Sequence, residues 1–219
     1  MKGIIYDEHK KRYITSTRDC PSVVQEALAI NISNKSLFGC TISKAKNMIF
    51  SWLDKELNLP QVVVLEFGGN DCDYDWREVS KAPEQDHLPF TPTNYFVDDY
   101  ESVIFALKNK QIIPVLMSLP PISAKRYFSW ITRDKDVSPE KLLVFLKDVQ
   151  KIYRHQEFYS NMIAPIAEKC KCYYFDLRTK MLCLPDYEDY LCIDGIHPNE
   201  KGYSFISTEW IKYAHQIGL

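Results

Sequence analysis

Three short runs of apolar residues predict buried β-strands. Residues 62–67, 112–117 and 173–177 are continuously apolar for most of their length, rather than alternating between apolar and polar positions. Such runs are typical of a parallel sheet, because helices cover both of its faces. Residues 29–33 are a weaker candidate strand. Pro114 lies inside the second run and weakens that prediction, since proline has no N–H to donate to a neighbouring strand.

Segments with helical spacing lie between these strands, and most of them begin at a residue that can cap a helix. The predicted helices are 21–29 after Asp19, a helix to about 57 after Thr41 or Ser43, a helix to about 108 after Thr93, helical sequence towards 169 after Ser138, and a last helix after Asn199. Strands that alternate with helices predict right-handed βαβ units. We therefore expect a single α/β domain over residues 1–219, with a mainly parallel sheet between two helical layers.

The charge and composition exclude several classes of protein. The 219 residues include 27 Lys and Arg against 29 Asp and Glu, a net charge of −2, which argues against a nucleic-acid-binding surface. Hydrophobic residues make up 46% and charged residues 26%, the usual mixture of a globular protein. No apolar run approaches the roughly 20 residues of a membrane span. Charged residues follow after only a few apolar positions at the N-terminus, so this segment is too short and polar for a signal peptide.

The seven cysteines do not follow a metal-binding or redox pattern. No C-x2-C pair occurs among them, so the sequence predicts no metal site. Free thiols are typical of a reducing compartment, and we expect a cytoplasmic protein. The alternative is a signal peptide in an upstream segment that this sequence lacks. The sequence also lacks the glycine-rich loops that hold dinucleotides and phosphates, so no organic cofactor is expected.

A glycine-rich segment follows the first predicted strand directly. Gly68-Gly69-Asn70-Asp71 lies at the carboxyl end of that strand, where α/β sheets form their active sites. The glycines let a ligand approach the backbone closely, and the Asn70 amide can donate a hydrogen bond to it. The alternative interpretation is an ordinary turn, because Gly, Asn and Asp are the usual turn residues.

A second candidate for chemistry precedes the last helix. Asp194 stands three positions before His197, with Gly195 between them and Pro198 directly after. An aspartate at this spacing can bind one imidazole nitrogen and leave the other as a general base. The alternative is a solvated loop histidine, since the spacing alone is common.

Together these segments resemble the blocks of the SGNH (GDSL) hydrolase family of esterases and lipases. Its G-x-N-D block matches residues 68–71, its D-x-x-H block matches residues 194–197, and its glycine-centred second block matches residues 38–41. The order and spacing are more specific than any single block, and the resemblance extends from about residue 3 to the end. It implies a flavodoxin-like three-layer fold.

The resemblance also implies a reaction and a set of roles. The family hydrolyses carboxylic esters by acyl transfer through a serine, without a metal or cofactor. Here His197 would be the general base and Asp194 its orienting partner, and the Gly39 N–H and the Asn70 side chain would be oxyanion donors. The implied substrate is a small ester, such as an acylated sugar or lipid. An acyltransferase and any oligomeric state stay open.

The family's first block, a Gly-Asp-Ser at the end of the first strand, is not in this sequence. Four serines near the N-terminus are interpreted as cap, turn or surface residues rather than nucleophiles, because none follows an apolar strand in the right order. They are Ser16, Ser22, Ser33 and Ser36. We assign no nucleophile and expect the chain as given to be inactive or nearly so.

Two explanations of the missing block are open. Either the sequence starts at an internal methionine and lacks an upstream strand with its serine, or the chain is a pseudoenzyme that binds an acylated carbohydrate or lipid. We favour truncation, because a dead enzyme has no reason to keep Asn70 and His197, and because the loss of an interior strand exposes two sheet edges. Ile4 and Ile5 are a possible short replacement strand.

Two long connections leave the expected functional edge of the sheet. They cover residues 72–93 and 118–137 and carry several aromatic residues. Long loops at this edge usually serve binding, so Trp76 and Tyr127 are candidate substrate-binding residues. The alternative is that these rings only pack the loops onto the domain.

Overall fold

The computed structural model describes residues 3–16 and 19–218. Its fold is α/β, with a parallel sheet, a separate antiparallel hairpin and helices along most of the remaining chain. The predicted α/β class and parallel sheet are confirmed.

The parallel sheet has three strands in the described part of the chain. They are β3 (Val62–Leu65), β4 (Ile113–Met117) and β5 (Tyr173–Phe175), in the order β3-β4-β5, and all three were predicted. Pro114 stands opposite Val63, in the part of β4 that pairs with β3 alone. A proline there interrupts one ladder rather than two, which explains how the strand tolerates it.

The hairpin is formed by the N-terminal residues. Strand β1 (Ile4–Asp7) pairs antiparallel with β2 (Arg12–Thr15), and Tyr6 stands opposite Tyr13. The hairpin forms its own two-stranded sheet. Ile4 and Ile5 therefore belong to a strand, but they do not replace a strand of the parallel sheet.

Helices account for most of the rest of the described chain. They are α1 (Cys20–Leu28), α2 (Ile42–Lys55), α3 (Trp76–Lys81), α4 (Thr93–Asn109), α5 (Ala124–Ile131), α6 (Pro139–Leu146), α7 (Gln150–Lys169), α8 (Leu177–Leu182) and α9 (Glu200–Ile217), with a short 3₁₀ turn at Tyr187–Tyr190. The predicted caps are present: Asp19, Thr41, Ser138 and Asn199 each accept a hydrogen bond from a backbone N–H of the helix that follows.

The chain divides into two compact units. The first unit consists of Met1–Phe38, Pro120–Arg133 and Leu177–Leu219, and the second of Gly39–Leu119 and Asp134–Asp176. The expectation of a single domain over residues 1–219 stays a prediction.

The second unit contains the parallel sheet and a continuous apolar core. Buried side chains from α2, α4 and α7 pack together with those of the strands. Three fully buried rings stand at its centre, with Phe96 5.1 Å from Tyr100 and 5.0 Å from Tyr159 between ring centroids. In the first unit the hairpin lies with α9, where the Tyr203 hydroxyl donates to the Ile4 carbonyl at 3.0 Å.

Four sequence predictions of local structure need correction. Residues 30–37 form no strand, although 29–33 was a candidate. The helix predicted from Ser138 to 169 is two helices, because Lys147 has a positive φ of 62° and the Asp148 carboxylate accepts the Gln150 N–H. The strand predicted to reach Leu177 ends at Phe175. Pro92, rather than Thr93, is the cap position of α4.

Candidate functional site

The loop between the 3₁₀ turn and α9 is closed by its own backbone hydrogen bonds. The Cys192 N–H donates to the His197 carbonyl at 2.7 Å, and the Gly195 N–H donates to the Cys192 carbonyl at 3.0 Å. At its end Asn199 caps α9 and its amide donates to the Leu191 carbonyl at 3.0 Å. These backbone bonds and the Asn199 side chain close the loop that carries Asp194 and His197.

Within this loop Asp194 and His197 form a direct pair. The His197 Nδ1 lies 2.7 Å from Asp194 Oδ2, while Asp194 Oδ1 accepts the backbone N–H groups of Ile196 at 3.0 Å and His197 at 3.1 Å. The Asp194 side chain has no exposed surface, whereas the His197 side chain is 24% exposed. A buried carboxylate thus holds an imidazole that still reaches solvent.

The surroundings of Asp194 favour its ionised form. Burial raises the pKa of this carboxyl group, but the hydrogen bond from the His197 ring, the charge on that ring and the two backbone N–H groups outweigh it and bring the pKa below the usual value. A carboxylate that stays ionised can orient the imidazole and stabilise its protonated form.

Gly195 is the one residue of this loop that must be glycine. Its φ is +76°, and a Cβ built there would lie 2.6 Å from the Arg126 Cβ and 2.8 Å from the Ser123 carbonyl oxygen. The Ser123 N–H donates to the Gly195 carbonyl at 2.8 Å. The loop is therefore seated directly on the first turn of α5.

Two aromatic side chains flank His197 in the first unit, and neither was predicted from the sequence. The Phe38 ring stacks on the imidazole at 6.0 Å and 12°, and the Tyr13 ring is tilted against it at 5.1 Å. The Tyr13 hydroxyl also donates to Asp194 Oδ2 at 2.9 Å. Because Tyr13 and Asp194 are 181 positions apart, no local motif signals this contact.

The glycine-rich segment of the second unit folds into a tight turn around Asp71. The two Asp71 oxygens accept the Ile42 N–H and the Gly68 N–H, each at 2.9 Å, and the Cys72 N–H donates to the Gly68 carbonyl at 2.9 Å. Gly68 has a φ of +132°, and a Cβ there would meet the Leu119 side chain at 2.9 Å. Asp71 thus ties the end of β3 to the start of α2.

Asn70 stands on the exposed side of this turn. Its Nδ2 donates to the Cys40 carbonyl at 3.2 Å. An amide nitrogen carries two N–H groups, and over the described residues no second acceptor is seen for it. The hydrogen bond to Cys40 orients the amide and leaves one donor directed elsewhere.

Gly39 lies directly before Cys40 and the Thr41 cap of α2. Its φ is +68°, and apart from its own atoms and those of its two chain neighbours no described atom lies within 4 Å of the place where a Cβ would stand. The open surroundings and the position near a helix N-terminus both suit a backbone N–H that meets an anionic oxygen.

One of the four serines, Ser16, lies in a different environment from the one that the sequence predicted. Ser16 follows strand β2 directly and is buried, and its hydroxyl donates to the Glu200 carboxylate at 2.9 Å. It is therefore neither a cap nor a surface residue, although its partner is a carboxylate rather than an imidazole. Ser22 lies in the first turn of α1, and Ser36 lies in a turn where its N–H donates to the Asn34 side chain.

The two aromatic candidates for substrate binding are both buried. Trp76 is 9% exposed and donates from Nε1 to Asp73 at 2.8 Å, and its ring packs against Tyr74. Tyr127 is 8% exposed and lies on α5. Burial of this degree is typical of packing residues, and their contact with a substrate stays a prediction.

Side chains that commonly bind metals are dispersed. Across residues 3–16 and 19–218, no three His, Cys, Asp or Glu side chains lie together in a way that could hold a metal ion. The seven cysteines, all within the described residues, form no disulfide bonds. None of the described helices is long and apolar enough to cross a lipid bilayer.

Comparison with known proteins places these segments in a family. The GDSL-like Lipase/Acylhydrolase family matches residues 15–205. The chain belongs to this family, and the resemblance inferred from the G-x-N-D and D-x-x-H blocks is confirmed. A search of curated proteins finds no match.

Solved structures share the fold at low sequence identity. A lipase/acylhydrolase from Enterococcus faecalis is 16% identical with a TM-score of 0.59, over 92% of this chain and 87% of that one. A G-D-S-L family lipolytic protein from Veillonella parvula is 13% identical with a TM-score of 0.62, over 91% and 88%. A catalytic mutant of the acetylxylan esterase Axe2 from Geobacillus stearothermophilus is 16% identical with a TM-score of 0.59, over 89% and 80%.

Proposed function

We propose that the chain acts on a small carboxylic ester by acyl transfer, with His197 as the general base. The observation that carries the proposal is the 2.7 Å contact between His197 Nδ1 and a fully buried Asp194 carboxylate. Membership of a family of lipases and acylhydrolases supports ester chemistry for this pair.

The geometry assigns the two imidazole nitrogens different tasks. The hydrogen bond to Asp194 assigns the proton to Nδ1. Nε2 then takes the proton of the attacking hydroxyl as its oxygen bonds to the ester carbonyl carbon. When the ester C–O bond breaks, Nε2 returns this proton to the departing alkoxide. The products are an alcohol and the acyl group bonded to the attacking oxygen, which is a carboxylic acid when water attacks.

Asn70 and Gly39 are assigned to the oxyanion. The Asn70 amide is oriented by Cys40, and Gly39 offers a backbone N–H before α2. Donors of this kind stabilise the negative oxygen of the tetrahedral intermediate, and removal of one of them commonly slows a reaction by about 10²–10³.

No serine of this sequence is assigned as the nucleophile. With an orienting carboxylate, a base and oxyanion donors but no assigned serine, water is the expected attacking group. Triad hydrolases that lose one member keep a residual acceleration of about 10³–10⁴ over water. We therefore expect slow hydrolysis of an activated ester, well below the rate of a serine esterase.

The experiment measures hydrolysis of p-nitrophenyl acetate by the purified 219-residue protein and its variants. His197→Ala should lower the rate above buffer by about 10²-fold or to the buffer rate, and Asn70→Ala should do the same. His9→Ala is the matched control, because His9 is exposed in the hairpin turn and should leave the rate unchanged.

A fluorophosphonate probe separates the remaining possibilities. No adduct, together with His197-dependent hydrolysis, supports the proposal as stated. An adduct on one serine, such as Ser16, that disappears in His197→Ala supports the esterase but shows that the nucleophile is present. A wild-type rate equal to that of buffer would exclude hydrolysis.

The last outcome would favour the second candidate, a non-catalytic protein that binds an acylated carbohydrate or lipid. The lack of an assigned nucleophile is the observation that favours this candidate. An acetylated xylooligosaccharide is a suitable first ligand, since one protein of similar fold is an acetylxylan esterase. Chemical shift changes at Asn70 or His197 on titration would support binding, and their absence would reject this ligand.

A further inference from the structure

The Asp194 carboxylate has four hydrogen-bond donors, and one of them comes from a distant part of the sequence. Oδ1 accepts the Ile196 and His197 backbone N–H groups, while Oδ2 accepts the His197 ring at 2.7 Å and the Tyr13 hydroxyl at 2.9 Å. An ionised carboxylate has about four acceptor positions, so these donors fill them. Tyr13 supplies the only one of these donors that lies outside the loop of Asp194.

Tyr13 is itself held in place by its neighbours. It pairs with Tyr6 across the hairpin, and its ring packs edge-on against Tyr6 at 5.3 Å and Trp130 at 6.0 Å. On its other side the same ring contacts His197 at 5.1 Å. Its hydroxyl therefore cannot leave Asp194 without disturbing this packing.

The Tyr13 hydroxyl also stays protonated. Burial raises its pKa well above the usual value, and the nearby charge of Asp194 raises it further. The other titratable groups that bear on it are Cys192 and Tyr6, and burial raises the pKa of the Cys192 thiol to about 11. None of the groups that shift the pKa of Tyr13 is a cation, so its hydroxyl reaches Asp194 as a neutral donor.

We propose that Tyr13 is a positioning residue that fixes the Asp194 carboxylate, and through it the proton on His197 Nδ1. The hydroxyl holds Oδ2 in the orientation that faces the imidazole, and the ring limits the tilt of that imidazole. The effect of Tyr13 on catalysis rests on the proposed function of His197 as the base. The hydrogen-bond arrangement around Asp194 is independent of that function.

Removal of the hydroxyl alone tests this role. In Tyr13→Phe the ring contacts remain, but Oδ2 loses one of its two donors and the carboxylate can rotate. The Nδ1–H form of His197 should then lose about fivefold in population relative to the Nε2–H form, the size of one net hydrogen bond. The ¹⁵N chemical shifts of the His197 ring measure this ratio directly.

Tyr6→Phe is the matched control. Tyr6 belongs to the same aromatic cluster and loses the same hydroxyl, but in the described structure its hydroxyl makes no hydrogen bond to Asp194. The tautomer ratio should be unchanged in this variant. An equal change in both variants, or no change in a Tyr13→Phe protein with a wild-type circular dichroism spectrum, would overturn the proposal.

A measurement on the unaltered protein covers the case in which Tyr13→Phe does not fold. Two protons directed at the same Oδ2 atom lie close together, so the Tyr13 hydroxyl and His197 Nδ1 protons should show a strong nuclear Overhauser effect. If both protons are observed without this effect, the arrangement is wrong.

Kinetics connect the arrangement to the reaction. Where hydrolysis is measurable, Tyr13→Phe should lower kcat about tenfold and leave KM within about twofold, because the hydroxyl orients the base rather than the substrate. A changed tautomer ratio with an unchanged kcat would retain the structural role but reject its catalytic consequence. Loss of the His197 dependence of hydrolysis would reject the proposed function alone.

Discussion

Two aspartates with no exposed surface do different work in the two units. Asp194 and Asp71 each accept two backbone N–H groups, from Ile196 and His197 in one case and from Ile42 and Gly68 in the other. Only Asp194 also faces a group that can become a cation. Burial raises the pKa of Asp71 above its usual value despite its hydrogen bonds, whereas the His197 side chain brings the pKa of Asp194 below it.

If Asp194 acts as proposed, burial and a pair of backbone N–H donors do not by themselves mark a functional carboxylate, since Asp71 has both. Neutral backbone donors satisfy a buried oxygen and can hold a turn, which is what Asp71 does between β3 and α2. A partner that gains charge during a reaction couples the carboxylate to that reaction, which is what we infer for Asp194.

The largest expected effect comes from exchanging the charge of Asp194 for a neutral amide. Asp194→Asn should lower the hydrolysis rate above buffer by about 10²-fold or more, because the amide neither stabilises the imidazolium nor secures its tautomer. The rate with p-nitrophenyl acetate measures this loss.

Asp71→Asn is the counterpart in the second unit. It should lower the free energy of unfolding in urea by about 1–3 kcal/mol, because one buried N–H loses its acceptor, and it should slow hydrolysis less than tenfold. A greater loss of rate in Asp71→Asn than in Asp194→Asn would reverse the roles given to the two carboxylates.

A glycine in each loop provides the next test. Gly195→Ala should lower the free energy of unfolding by about 2–4 kcal/mol, because it adds the cost of a positive φ to a clash with α5. Gly69→Ala should change it by less than about 0.5 kcal/mol, since no described atom beyond Gly69 and its chain neighbours lies within 4 Å of its Cβ position. If urea denaturation gave the same loss of unfolding free energy for both variants, the loop of Asp194 would be able to accommodate a Cβ at position 195.

The smallest effect is a difference in pH dependence. The lowered pKa of Asp194 contributes stability above the usual value of 3.8, and this contribution is lost as the pH falls through its folded-state pKa. The raised pKa of Asp71 has the opposite sign, so its ionisation opposes folding as the pH rises from 3.8 through its folded-state pKa.

Urea denaturation between pH 3 and pH 7 checks both signs. The stability advantage of the wild-type protein over Asp194→Asn should shrink towards low pH, and its advantage over Asp71→Asn should grow. Parallel pH profiles for the two variants would contradict the opposite pKa directions.

Local sequence signals predicted much of the fold. The three parallel strands and the caps Asp19, Thr41, Ser138 and Asn199 rest on patterns within a few residues of each other. The prediction at 29–33 was wrong because a short apolar run becomes a strand only where a partner strand pairs with it. The break at Lys147 was missed because helical spacing continues across it.

The candidate site was predictable only in part, for a similar reason. The hydrogen bond between Asp194 and His197 spans three residues, so their spacing indicated it. Asp71 was included in its block, but its tie to Ile42 across 29 positions was not predicted. Tyr13 and Phe38 approach His197 through tertiary packing, and no sequence period encodes that contact.

The 181 positions between Tyr13 and Asp194 also constrain biosynthesis. In a nascent chain Tyr13 is synthesised long before Asp194, so its hydroxyl can bind this carboxylate only after 181 further residues have been added. The His197 imidazole, which contacts both residues, likewise gains its neighbours Tyr13 and Phe38 from segments made much earlier. If His197 transfers a proton as proposed, the reaction therefore depends on two chain segments that are synthesised at very different times.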